Sequence, residues 1–79
     1  MWIRQQMRNG MINTNSVQNI YVSNKKGTWA VLAHNVNGTD NCLGAYGSQG
    51  EAMERMDDIF RAIMENWTAL QMPPARKEG

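Results

Sequence analysis

His34 and Cys42 are the only histidine and the only cysteine in the chain, and they are the residue types of a nucleophilic dyad. An imidazole within hydrogen-bond reach of a thiol takes its proton and leaves a reactive thiolate. His34 sits near the end of one predicted strand and Cys42 at the start of the next, so a dyad needs those strands to be neighbours in matching register. Without that pairing the two are an edge imidazole and a small, half-apolar thiol. One Cys and one His also fall short of the four ligands of a structural zinc site. Glu54, Asp57 and Asp58 form an acidic group, but consecutive helical residues point about 100° apart, so the group reads as a solvated helix face. Gly44, Gly47 and Gly50 precede a helix without the dinucleotide-binding fingerprint or a βαβ context. They read as a bulge, a turn and a tolerated first-turn glycine. No cofactor, metal or catalytic residue is expected from these patterns, and the chain is not expected to be an enzyme.

A second group of residues suits binding. Residues 1–39 carry Arg4, Arg8, Lys25 and Lys26 with no acid, a net +4, whereas residues 40–79 carry seven acids against four bases, a net −3, leaving +1 in all. Trp2, Tyr21, Trp29 and Tyr46 fall on predicted strands among the bases. Aromatic faces inside a basic groove are the apparatus of single-stranded nucleic-acid binding, and Arg4, Arg8, Lys25, Lys26 and Tyr21 are the candidate contacts. Four bases are few for phosphate binding, and aromatics on a small sheet usually build core, so this reading stands second. The seven methionines could give an adaptable surface, but Met53, Met56 and Met64 fall on or beside a helical apolar stripe and read as packing. The acidic polar face of that helix argues against membrane-surface binding.

The positioning elements follow from turn chemistry and periodicity. Trp2 to Gln5 and Met11 to Asn13 alternate apolar and polar residues around Arg8-Asn9-Gly10, and Asn-Gly between such runs predicts a type I′ hairpin. Ser16 to Ser23, Thr28 to Asn35 and Cys42 to Tyr46 are further strands, separated by turns at Asn24 to Gly27 and Asn35 to Asn41. No connection between them is long enough for a parallel crossover, so the strands should form an antiparallel meander. Ser48 and Glu51 then make a capping box. From there Ala52, Met56, Ile59, Phe60, Ile63, Trp67 and Leu70 recur at helical spacing, with Glu51–Arg55 and Asp57–Arg61 as i,i+4 pairs. The predicted fold is α+β: a four- or five-stranded antiparallel meander sheet, strongly curved if it closes on itself, with one long C-terminal helix packed on it, forming a single domain over residues 1–71. Residues 72–79, opening on Met72-Pro73-Pro74, read as a flexible tail.

Size supplies the next step. A chain of 79 residues buries only about 60% of its unfolded surface, and with a lone cysteine and no zinc set, self-association is the remaining support. No secretory leader or membrane-length apolar run is visible, and the lone thiol suits a reducing compartment, so a cytoplasmic location is expected. A helix running to Leu70 would be about 33 Å long, against about 17 to 20 Å for five- or six-residue strands, and would overhang its sheet. Trp29 faces one side of an apolar strand whose other side carries Ala30 and Leu32, so one helix cannot cover both. The second face must either close on itself as a barrel or meet another subunit. Trp67, Leu70, Met64 and Trp29 are therefore the candidate self-association residues, with a homodimer as the expected state.

Trp2-Ile3-Arg4, Asn15-Ser16, Ile20-Tyr21-Val22, and Leu43-Gly44, Tyr46, Ser48, Glu51, Ala52, Met56 and Ile59 together resemble a family of small uncharacterised proteins of Gram-positive bacteria and their phages or prophages. The resemblance spans most of residues 2–64. It implies an α+β module of mobile-element or host origin and carries no catalytic residue or ligand. The chain departs from the family pattern in the Gln5-Gln6 that follows Arg4 and in a longer extension through Trp67 to Leu70.

Overall fold

A computed structural model describes residues 1–76. Its strands are β1 (Trp2–Arg4), β2 (Met11–Asn13), β3 (Val17–Lys25), β4 (Thr28–Asn35), β5 (Asp40–Tyr46) and β6 (Ala69–Gln71), with one α-helix, α1 (Gln49–Met64), between β5 and β6. The class is α+β, but the strands divide into two three-stranded sheets, ordered β3-β4-β5 and β2-β1-β6.

The larger sheet is built from local hairpins. Lys26 (φ 53°) and Gly27 (φ 82°) both take the left-handed region between paired Lys25 and Thr28, the geometry of a tight turn whose twist matches its strands. The Asn24 side chain accepts from the Gly27 N–H at 3.2 Å. At the β4–β5 turn Gly38 is left-handed (φ 92°) and donates to the Asn35 carbonyl. Between Gly44↔Val31 and Cys42↔Leu32 the register slips. Leu43 is the extra residue and is fully buried. Gly44 beside it has a steric purpose, because a methyl there would sit 2.6 Å from the Tyr46 hydroxyl.

The smaller sheet is not a hairpin extension of that meander. β1 pairs antiparallel with β2 and parallel with β6, Ile3 lying between Ile12 and Leu70. The parallel pairing is legitimate because nearly the whole chain serves as its crossover. The β1–β2 turn also differs from expectation: Arg8 (φ 61°), rather than Asn9 or Gly10, takes the left-handed conformation. Its N–H is held by the Gln5 carbonyl while the Gln5 N–H donates to Gly10.

The helix ends earlier than its apolar period suggests. Asn66 adopts φ 58°, the Trp67 N–H donates to the Ala62 carbonyl and the Asn66 N–H to that of Ile63. These are the two bonds of a Schellman stop, in which asparagine is the usual substitute for glycine. The expected overhang therefore does not exist. A helix of 16 residues spans about 24 Å, less than the roughly 30 Å of β3 with its 9 residues. Leu70 belongs to β6 and packs against the core.

Core and joints show how the sheets meet. Ile3, Val31, Ala33, Leu43, Tyr46, Ala52, Ile59 and Met72 form one buried cluster, with Ile12, Trp29, Met56 and Leu70 packed on it. Both sheets and the helix thus share a single interior. The open edge of β5 is closed by the segment after β1. The Gln6 N–H donates to the Leu43 carbonyl, and the Gln6 amide both accepts from the Ala45 N–H at 2.9 Å and donates to its carbonyl at 3.0 Å. This side chain imitates a neighbouring strand along the β5 edge.

Residues 72–76 are not a loose tail. Met72 is 1% exposed, and the Pro73 carbonyl accepts from the Tyr46 hydroxyl at 3.0 Å. The Arg76 N–H donates to Glu51 Oε2 at 2.7 Å. The capping box is correspondingly half formed: Ser48 Oγ accepts from the Glu51 N–H at 3.1 Å, while the Glu51 carboxylate turns to hold the C-terminal segment. Two prolines stop a helix but do not prevent an extended segment from docking. The rest of the expected tail, residues 77–79, lies outside the described residues.

Candidate functional site

The dyad residues are on the right strands but have different partners. His34 pairs in register with Asp40 and Cys42 with Leu32. The His34 Nδ1 lies 2.8 Å from Asp40 Oδ1, and the exposed Cys42 thiol donates to the Gly44 carbonyl at 3.5 Å. Among the described residues no cluster of three or more His, Cys, Asp or Glu side chains is arranged to hold a metal ion. Two of the three residues in the acidic helix group are paired with bases: Arg55 Nε lies 3.1 Å from Asp58 Oδ2, and Glu54 meets both Arg55 and Arg76. The i,i+4 pairs expected from sequence, Glu51–Arg55 and Asp57–Arg61, are not among the ion pairs formed by the described residues, since Arg55 lies instead against the i+3 carboxylate.

The self-association candidates separate into two kinds. Trp29 lies on the core-facing side of β4, in register with Tyr46, and Leu70 of β6 packs on the core; both are partly buried, and Leu70 also lines a surface groove. Met64 is 66% exposed and Trp67 44% exposed. They are joined by residues that the sequence pattern assigned to the interior or to packing: Phe60, Ile63 and Met53 are all exposed. The face of α1 turned to the core instead carries Glu51, Ala52, Ile59 and Ala62. At about 100° per residue, Met53, Phe60 and Met64 fall within about 40° of one another, roughly opposite that buried face. The helix is therefore apolar on two sides. A signal for the second was present in the i, i+7, i+11 spacing of those residues, but it was merged into one broad stripe with Ile59 and Ile63. Asp57 and Arg61 border Phe60 on this outer face, both exposed.

The nucleic-acid candidates also divide. Arg4 and Arg8 line one groove of about 490 Å³ with Trp2, Asn9, Gly10, Met11, Ala69, Leu70 and Gln71. Strand alternation explains the arrangement: Ile3 between Trp2 and Arg4 is fully buried, so its neighbours point out. Lys25 and Lys26 occupy the tip of the β3–β4 hairpin in the other sheet. Tyr21 stands on the outer face of β3 opposite Leu32, where desolvation and then the Asp40 carboxylate raise its hydroxyl pKa. A neighbouring carboxylate makes that face a poor place for phosphate. The sequence places Trp2 among the aromatics that accompany the bases without singling it out as a contact; the groove that sets it beside Arg4 and Arg8 is completed by β6, whose residues continue the helical period in sequence.

Compared with protein-family models, curated proteins and solved structures, the chain finds no match. No helix among the described residues is long and apolar enough to cross a membrane.

Proposed function

We propose that this protein is a non-enzymatic interaction module that self-associates through the outer face of α1. The observation that carries the reading is the exposed group Met53, Phe60, Ile63, Met64 and Trp67 on and just beyond one helix. Contiguous apolar surface of this kind on a small soluble domain marks an interaction site. A second copy of the chain is the occupant that the charges favour. In an antiparallel pair of α1 helices with a twofold axis beside Phe60, Asp57 of one copy meets Arg61 of the other, and the same contact recurs by symmetry. Neither residue is engaged in an ion pair among the described residues, so both are available. Self-association also supports a chain of this size by removing apolar surface that its own core leaves wet. The resemblance to small phage and prophage proteins agrees with an assembly role and names no partner.

Native mass by light scattering tests the reading. Dimer is expected, twice the 9.0 kDa of one chain, and Phe60→Glu with Met64→Glu should return it to monomer while circular dichroism keeps its folded shape. Asp57→Arg should weaken the dimer, and adding Arg61→Asp should restore it. A wild-type protein that stays monomeric at high micromolar concentration overturns the proposal.

A further inference from the structure

Away from the helix, the outer face of the β2-β1-β6 sheet carries a groove of different chemistry. Its centre is Trp2, 48% exposed on β1, flanked by Met11 of β2 in the diagonal position and by Ala69 of β6 directly alongside. Arg4 follows on the same face of β1, and Arg8 stands at the groove's rim. Neither arginine forms an ion pair among the described residues, and no acidic side chain lines the groove. Arg8 is held at the rim at some cost. It occupies the left-handed region, seldom adopted by residues other than glycine and asparagine, although Asn9 and Gly10 adjoin it and would take that conformation more easily.

We infer that this groove binds single-stranded nucleic acid, with a base stacked on the Trp2 indole and the flanking phosphates on Arg4 and Arg8. The distribution of groups selects this class. An acidic peptide would satisfy the two guanidiniums and leave the exposed indole and Met11 thioether without a partner. A base between two phosphates fills both the flat apolar middle and the charged ends. Duplex is disfavoured because its base faces are already stacked on one another. The groove's volume lies within the range of sites that hold one small planar ligand, so a short segment is engaged and little sequence preference is expected, since every base has a face to stack.

The test uses the full chain and a short fluorescein-labelled oligothymidylate, read by anisotropy at low salt. Binding is expected, with affinity falling as salt rises. The slope of log affinity against log salt should shrink by about 0.7 for each of Arg4 and Arg8 replaced. Arg4→Glu with Arg8→Glu should abolish binding, and as both side chains are exposed the variant should keep its far-ultraviolet circular dichroism and its native mass. Retained mass separates this site from the helix-face dimer, whose failure would leave oligonucleotide binding untouched. Trp2→Ala should weaken binding about tenfold. Trp2→Phe, which keeps a ring and guards against loss of folding, should retain most of it. The inference is overturned by any of three results: no binding at low salt; equal competition by inorganic polyphosphate or poly-glutamate, which would make the groove a basic patch or an acidic-peptide site; or binding lost with Lys25→Glu and Lys26→Glu but kept with the arginine pair reversed.

Discussion

The two sheets of this protein are made in different ways. In β3-β4-β5 each strand pairs with its neighbour in sequence, through turns set by Lys26-Gly27 and by Gly38. In β2-β1-β6 the strands have only three residues each, and β1 pairs with β6 across nearly the whole chain, with Trp2 opposite Ala69. Both sheets contribute to the shared core, and the second also carries the groove. Loop-closure entropy must be met before long-range contacts reward it, so the small sheet is expected to open before the large one when its anchors are weakened.

The sharpest way to break that comparison is to end the chain after Thr68. This removes β6 together with Leu70 and Met72, which is 1% exposed, and the Pro73 carbonyl that accepts from Tyr46. The buried Met72 is worth about 2 to 5 kcal/mol, and the partly buried Leu70 and the lost β1–β6 pairing add to it; the sum is comparable to the whole stability of a small domain, so cooperative thermal unfolding followed by circular dichroism should disappear. Met72→Ala alone should cost about 2 to 4 kcal/mol in urea denaturation. A chain truncated after Arg76 that melts like wild type, beside a collapsed one truncated after Thr68, would locate the anchor in β6 and Met72 themselves.

The same contrast explains what the sequence made legible. Strands near Met11–Asn13, Val17–Lys25 and Thr28–Asn35 and the start of α1 are readable because alternation, tight-turn residues and Ser48 act over a few positions. The β6 strand was hidden because Trp67 and Leu70 continue the helical period of Ile59 and Ile63, and a period cannot register that one asparagine turns left-handed. The candidate surfaces were half legible for the same reason. Met64, Trp67, Arg4 and Arg8 carry over, whereas Phe60 lies outside rather than inside and the groove around Trp2 takes its shape from β6 running beside β1.

Tyr46 joins the two halves and gives a smaller, pH-dependent effect. Burial is the main cause that pushes its hydroxyl up to about 12; the Arg55 charge opposes this, and Glu51 adds to it. In the unfolded chain a tyrosine ionises near pH 10. Between about pH 10 and pH 12 the folded state therefore holds a proton that the unfolded state has lost, and stability falls as pH rises through that window, by at most about 2 kcal/mol. Tyr21, raised in the same direction, steepens the fall. Tyr46→Phe should be less stable at neutral pH by about 1 kcal/mol, for loss of the bond to Pro73, yet show a flatter decline above pH 10 in denaturant titrations. An equally steep decline would move the cause to other groups.

The smallest expected effect falls at the point where the two constructions meet, Asn66. Its left-handed φ of 58° ends α1 and sends the chain into β6, with the Trp2 N–H then donating to the Thr68 carbonyl at 3.0 Å. Alanine resists that conformation and favours helix, so Asn66→Ala should cost about 1 kcal/mol. Most of that cost should be felt by the small sheet, because a helix continuing towards Leu70 competes directly with the β1–β6 pairing. Amide exchange resolves the distribution: protection at Trp2 and Met72, whose N–H groups bond to Thr68 and Arg4, should drop more than protection within β4. Asn66→Gly, which enters the left-handed region freely, should leave the pattern intact. If Asn66→Ala instead lowered protection in both sheets equally, the small sheet would be no more fragile than the large one, and the stop at Asn66 would act on the fold as a whole.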